Sequence, residues 1–176
     1  MGTVAVSPKR STRLLVASGD PEVRAGVREA LAPLPSAEIE EVSGVREALA
    51  AAEKKKPDLL VSDMVLRDAT GIALCRLVRE HSSLSNLPVL LLSAFKEEMD
   101  RILAFEAGVD DFVSSPYYRR ELLSRVRAIL RRAKAARGVS PTHLSEGPVR
   151  LDMDKARVEI FGEHVNLTPK EFRIFS

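Results

Sequence analysis

The sequence contains one cysteine, Cys75, so no internal disulfide can form; its setting in GIALCRLV marks a small core residue and suits a reducing cytoplasm. Long hydrophobic runs are missing. LPVLLLSAF falls far short of a membrane span, and the start MGTVAVSPKRST lacks the continuous apolar stretch of a signal peptide, so neither membrane insertion nor secretion is expected. An excess of one charge is missing too: a formal net charge of +2 does not by itself imply a polyanionic partner. Internal repeats and low-complexity tracts are also absent, which sets aside solenoids and compositionally biased chains.

What is present is a chain of 176 residues, 45% hydrophobic and 30% charged, which suits one well-buried domain plus a smaller piece. From Leu14 onward, short apolar runs alternate with longer amphipathic ones. That alternation is the sequence form of a parallel sheet with helices on both faces. The expected strands are LLVA, EIEEV, DLLVSD, VLLL and DFVS. The expected helices start at Pro21, Gly44, Gly71, Glu97 and Tyr118, and Gly108 serves as a C-terminal cap. The imperfect alternation of EIEEV fits a strand near a sheet edge, and the nearly all-apolar third and fourth strands fit its centre. Residues 136–148, ARGVSPTHLSEGP, carry Gly, Ser and Pro without periodicity and read as a linker. Beyond it, VRLDM, RVEIFG and EHVNLT read as a small antiparallel meander, and Thr168, Pro169 and Glu171 as the capping-box start of a helix.

In an open parallel sheet, ligands bind outside the carboxyl ends of the strands, which points to the loops after Ala17, Ser62, Leu92 and Val113. Asp63 ends an apolar strand, where a carboxylate costs several kcal/mol unless a partner or water meets it. A turn-forming or helix-capping aspartate is the plainer reading of the same residue.

PDLLVSDMVLRDATG resembles the acceptor segment of response-regulator receivers, with Asp63 at the phospho-acceptor position. Ser93, ending VLLLS, is similar to the family's hydroxyl residue, Phe112 in AGVDDFVSSPY to its aromatic switch residue, and Pro116 to the proline after its lysine. The resemblance covers residues 12–135 and implies a flavodoxin-like, doubly wound (βα)5 receiver with a five-stranded parallel sheet, preceded by a tail at residues 1–11.

Two departures bear on mechanism. The family's acidic pair after the first strand, which holds Mg²⁺ together with the acceptor, falls on Ser18 and Gly19, and its lysine falls on Ser115. A site balancing three carboxylates against a divalent ion and an ammonium is thereby reduced to one carboxylate with neither cation. The expectation is that magnesium binding is lost, that no cofactor is needed, and that phosphorylation of Asp63 is inefficient, because phosphoryl transfer depends on metal and cations stabilising the transferred oxygens. Arg67 and Asp20 are the nearest candidates for a substitute cation and an outlying metal ligand.

In the OmpR-like branch, receivers pair through the fourth helix, fifth strand and fifth helix. Carried over, that rim is Arg101, Glu106, Asp110, Asp111, Glu121, Arg125 and Arg127. A two-fold interface would set Arg101 against Glu121, Asp110 or Asp111 against Arg125, and Glu106 against Arg127. This accounts for part of the basic helix, which otherwise reads as a solvated face. Residues 149–176 resemble the opening of the OmpR-like winged-helix DNA-binding domain, LTPKEF being its most specific part. The recognition helix and wing would lie beyond it, so the chain as given is expected not to bind DNA specifically.

The implied function is an atypical, cytoplasmic, non-enzymatic regulator of two-component type. It would act on transcription through a phosphorylation-independent homodimer, with a histidine kinase or another regulatory protein as possible partner and no membrane. The alternatives are a conventional receiver phosphorylated at Asp63 and a stand-alone interaction module without DNA output. An aspartate-nucleophile phosphatase is disfavoured, because the second aspartate it needs two residues on is here Val65.

Overall fold

The computed structural model describes residues 11–93, 98–136, 143–146, 149–152, 157–160 and 163–165. The chain divides into two compact units, residues 1–130 and 131–176.

Strands β1 (Thr12–Ala17), β2 (Ala37–Val42), β3 (Leu59–Asp63), β4 (Val89–Ser93) and β5 (Asp111–Ser114) of the first unit alternate with helices α1 (Pro21–Leu31), α2 (Val45–Lys55), α3 (Gly71–Glu80), α4 (Glu98–Glu106) and α5 (Arg119–Ala136), the last of which continues past residue 130. The strands form one parallel sheet in the order β2-β1-β3-β4-β5, with β2 at an edge as its sequence implied.

Alternation along each strand builds two cores. Leu15, Leu60, Val89 and Leu91 pack against Ala48 and Ala52 of α2 and Leu74, Cys75 and Val78 of α3. Their neighbours Leu14, Leu59, Val61, Leu90, Leu92 and Val113 point the other way, onto Val27 and Leu31 of α1 and Leu122, Val126 and Ile129 of α5. A strand covered on both faces must be apolar at every position, hence the unbroken runs. Each fully buried Leu or Val contributes about 1.5–3 kcal/mol of transfer free energy. The helix ends follow local chemistry: Asp20 and Thr70 cap α1 and α3, Lys56 leaves α2 in the left-handed region, and Gly108 takes φ 89° after α4.

In the second unit, β6 (His143–Glu146), β7 (Val149–Asp152), β8 (Arg157–Ile160) and β9 (Glu163–Val165) form an antiparallel meander. Strand β6 corrects the sequence reading, which placed residues 143–146 in the linker of residues 136–148. Four residues are too few to display a period, and the strand exists because it pairs with β7. The register sets Leu144 opposite Leu151, Leu151 opposite Val158 and Val158 opposite Val165, one apolar row across all four strands. The helix expected from Thr168, the rest of the linker and the tail before residue 11 lie outside the described residues.

Candidate functional site

Strand order reverses between β1 and β3, and Asp63 ends β3 at that switch point. The register brings Ala17 beside Ser62, Asp63 beside Leu92, and Ser93 beside Ser114, so the expected loops open at one end of the sheet. Asp63 is half-buried. Its Oδ2 accepts a hydrogen bond from the hydroxyl of Ser18 at 2.7 Å, while Ser62 donates its own hydroxyl to the Asp63 carbonyl at 3.0 Å.

The loop after β3 is laced to its neighbours. Gly19 N–H donates to Val65 O at 3.0 Å, Arg67 N–H to Ser43 O at 2.9 Å, and Gly71 N–H to Met64 O at 2.9 Å. Residue 44 begins α2 without a side-chain cap of its own, and Asp68 supplies one from across the loop, accepting from Val45 N at 2.6 Å. That backbone N–H is the main reason the Asp68 carboxyl lies below the ordinary carboxylate value. Gly71 starts α3 so close to β3 that a Cβ would overlap the Asp63 carbonyl oxygen and come within 2.6 Å of Leu91 Cδ1.

Of the residues singled out in sequence, Ser18, Gly19, Asp63 and Ser93 share this end of the sheet. Ser93 is buried, and its carbonyl accepts from Ser115 N–H at 2.9 Å, which carries Ser115 to the rim, where it is exposed. Asp20 turns away from Asp63: its Oδ1 accepts from Glu22 N at 2.8 Å as the cap of α1. Arg67 corrects the idea of a substitute cation, because its guanidinium pairs with Glu47 at 2.7 Å. Glu47 is fixed there by the Ser43 N–H and hydroxyl, the N–H being the main cause of its lowered pKa. Among the described residues, no group of three or more His, Cys, Asp or Glu could hold a metal ion. The donor set at Ser18, Gly19 and Asp63, a hydroxyl already donating, a bare backbone and one carboxylate, does not fit magnesium, which wants oxygen ligands in near-octahedral array.

Sequence reasoning passed over Tyr117. It is half-buried against the α1 core, and its hydroxyl would lie 3.8 Å from a Cβ at Gly26. Burial, and after it the negative charge of Asp63, raises its pKa. Its only sequence signal is its place two residues after Ser115.

Phe112 lies on the sheet face opposite Val113 and meets Phe105 of α4 edge to face, centroids 5.8 Å apart at 74°. Around it, the charged rim is partly satisfied within the chain. Arg125 Nη1 lies 3.1 Å from both Asp111 oxygens, and its Nε and Nη2 each lie 3.1 Å from Glu121 Oε1. Asp110 Oδ2 accepts from Arg79 Nη2 at 2.8 Å and from Val89 N at 2.7 Å. Arg101, Glu106 and Arg127 are exposed, as are Ile102, Leu103 and Phe105 on α4. A cavity of about 310 Å³ opens elsewhere, at the amino ends of β1 and β2 between Arg13, Glu38, Lys55 and Pro57, and has no part in this site.

Residues 14–127 match the model of the response regulator receiver domain. The chain is 39% identical over 122 residues to the phosphate regulon transcriptional regulatory protein PhoB of Rhizobium meliloti, covering 69% of this chain and 53% of that protein. It is 37% identical over 118 residues to the transcriptional regulatory protein BaeR of Escherichia coli O6:H1, covering 67% and 48%. The chain thus spans about half the length of the regulators it matches. Among solved structures, the signal receiver domain of a histidine kinase from Syntrophus aciditrophicus superposes with a TM-score of 0.64 at 27% identity, over 78% of this chain and 99% of that one. The response regulator DrrB of Thermotoga maritima, an OmpR/PhoB homologue, shares the fold over 94% of this chain and 70% of its own, with a TM-score of 0.60 at 24% identity. With its parallel five-stranded sheet, Asp63 at the switch point and the family match over most of its length, the chain belongs to the response regulator receiver family.

Proposed function

We propose that this chain is the receiver portion of an atypical transcriptional regulator, one that signals by pairing of its receiver without phosphate on Asp63. The observation that carries the reading is the Ser18–Asp63 hydrogen bond at 2.7 Å, formed where the family keeps an acidic metal ligand. With Gly19 beside it and Ser115 at the position of the family's lysine, these positions supply neither the second carboxylate for magnesium nor the ammonium that would stabilise a transferred phosphoryl group. Such a protein would work in the cytoplasm and take its input from a kinase or another regulatory protein. Its DNA-binding part would begin at the meander of β6 to β9.

The pairing surface would be α4, β5 and α5. Arg125, Asp111, Glu121 and Asp110 already hold intrachain partners, which leaves Arg101, Glu106 and Arg127 to set register between copies around the exposed Ile102, Leu103 and Phe105. Exposed ion pairs contribute only about 0.2–1 kcal/mol each, so the apolar centre would supply most of the affinity.

Incubation with acetyl phosphate and Mg²⁺, read by intact mass, tests the chemistry. No stoichiometric adduct is expected; an adduct abolished by Asp63→Asn would make this an ordinary phosphorylation switch. Sedimentation of the unmodified protein at tens of micromolar tests the pairing. A dimer is expected, and Ile102→Glu with Arg127→Glu should reduce it to monomer. A monomeric parent protein would refute phosphate-independent pairing.

A further inference from the structure

We infer that Ser18 is a positioning residue for the acceptor, its hydroxyl fixing the Asp63 carboxylate in one orientation. This rests on the proposed reading that phosphate is not the input.

Ser18 is held from several sides. Its N–H donates to Val42 O at 3.1 Å, its carbonyl accepts from Arg24 Nη1, and the residue is fully buried at the end of β1. Its Oγ accepts the Asp20 N–H at 3.1 Å. A serine hydroxyl has one proton to give, and with a lone pair taken by that N–H, the proton is directed to Asp63 Oδ2. At 2.7 Å the bond has the length of a well-formed O–H···O hydrogen bond.

Asp20 is the cap of α1, so the chain Asp20 N–H to Ser18 Oγ–H to Asp63 Oδ2 ties the acceptor to the amino end of that helix.

The neighbouring position bears on the alternative. An ideal Cβ at Gly19 would stand 3.2 Å from Arg67 N and 3.3 Å from Leu66 C, so the loop after β3 lies close against the space a side chain there would need. Serine at one position and glycine at the next thus form a matched pair: the hydroxyl holds the carboxylate, and the bare backbone lets the loop close. Among the described residues, Asp63 Oδ2 has this one donor and Oδ1 has none.

The test is the carboxyl ¹³C resonance of Asp63 in the full chain at neutral pH. In the unaltered protein, exchange of the Ser18 hydroxyl proton for deuterium should shift that resonance through the hydrogen bond. Ser18→Ala should abolish the isotope shift and move the resonance, and Ser18→Thr, which keeps the hydroxyl, should restore both. An unaltered protein without an isotope shift would overturn the inference even if Ser18→Ala failed to fold. So would a folded Ser18→Ala whose Asp63 resonance coincides with that of the parent. The acetyl phosphate measurement is independent: an adduct there refutes the phosphate-free reading while leaving the Ser18 bond to be judged by its own signal.

Discussion

Replacing Arg79 by methionine should destabilise the receiver more than any other substitution of a partly exposed charged side chain. From α3, its Nε donates to Gly108 O at 2.9 Å, its Nη1 to Leu87 O at 2.7 Å and Ser85 O at 3.1 Å, and its Nη2 to Asp110 at 2.8 Å. One side chain thereby holds both the segment entering β4 and the turn entering β5. Methionine would keep most of the packing and lose all four bonds. At about 1 kcal/mol net for each carbonyl, and under about 1 for an ion pair whose Asp110 is exposed, the sum is roughly 3–4 kcal/mol. Against a total of about 5–15 kcal/mol that is a large fraction, corresponding to a fall of roughly 10–15 °C in Tm. Urea unfolding followed by far-UV circular dichroism measures it, the chain having no tryptophan to report by fluorescence. Arg79→Lys keeps the charge without the fork and should fall between the two. A loss below about 1 kcal/mol for methionine would refute the accounting, because it would mean that water replaces the guanidinium at all three carbonyls.

Further outcomes follow from the site. Gly71→Ala puts a methyl against the Asp63 carbonyl oxygen and Leu91, neither of which can yield freely, and should cost about 1–3 kcal/mol in thermal unfolding; a change within about 0.5 kcal/mol would show that the start of α3 relaxes without strain. The folded-state pKa of Asp68 is depressed by the Val45 N–H, so its contribution to stability is present above the ordinary carboxyl value of 3.8 and lost as pH falls through its folded value. The difference in urea midpoint between the parent and Asp68→Ala should accordingly be constant near neutral pH and shrink below about pH 4; a difference unchanged down to pH 2 would refute the cap. The thiol of Cys75 is pushed up by burial and donates to Ala107 O at 3.3 Å, so alkylation by iodoacetamide should proceed only through unfolding and accelerate with urea; rapid labelling of the native protein would contradict its place in the core.

Much of the receiver was legible because its determinants are local or periodic. The apolar runs marking β3 and β4, Pro21 in the first turn of α1 and the left-handed turn at Gly108 each act within a few residues, whereas Asp20, read in sequence as an outlying metal ligand, proved to be the cap of α1. The position of Asp63 at a strand end was plain from residue identity, and that Ser18, Gly19 and Ser115 stand where the family has acids and a lysine is what the resemblance implied. Strand β6 was not legible, since its reason for being a strand is its pairing with β7.

What the sequence by itself determined is the alternating architecture and the place of Asp63 at the end of its third strand, because those depend on residue type and order along the chain. Only the tertiary structure decided where the remaining charges and hydroxyls are spent. Hydrogen bonds and ion pairs between distant residues depend on distance and direction in space, which spacing along the chain does not encode. So Arg67 goes to Glu47 and not to Asp63, Arg125 to Asp111 and Glu121 of its own chain, Asp68 to the first turn of α2, and the hydroxyl of Ser18 to the acceptor. Ser18 was read, by resemblance, as standing where the family has an acid; in the fold its hydroxyl donates to Asp63 Oδ2 at 2.7 Å.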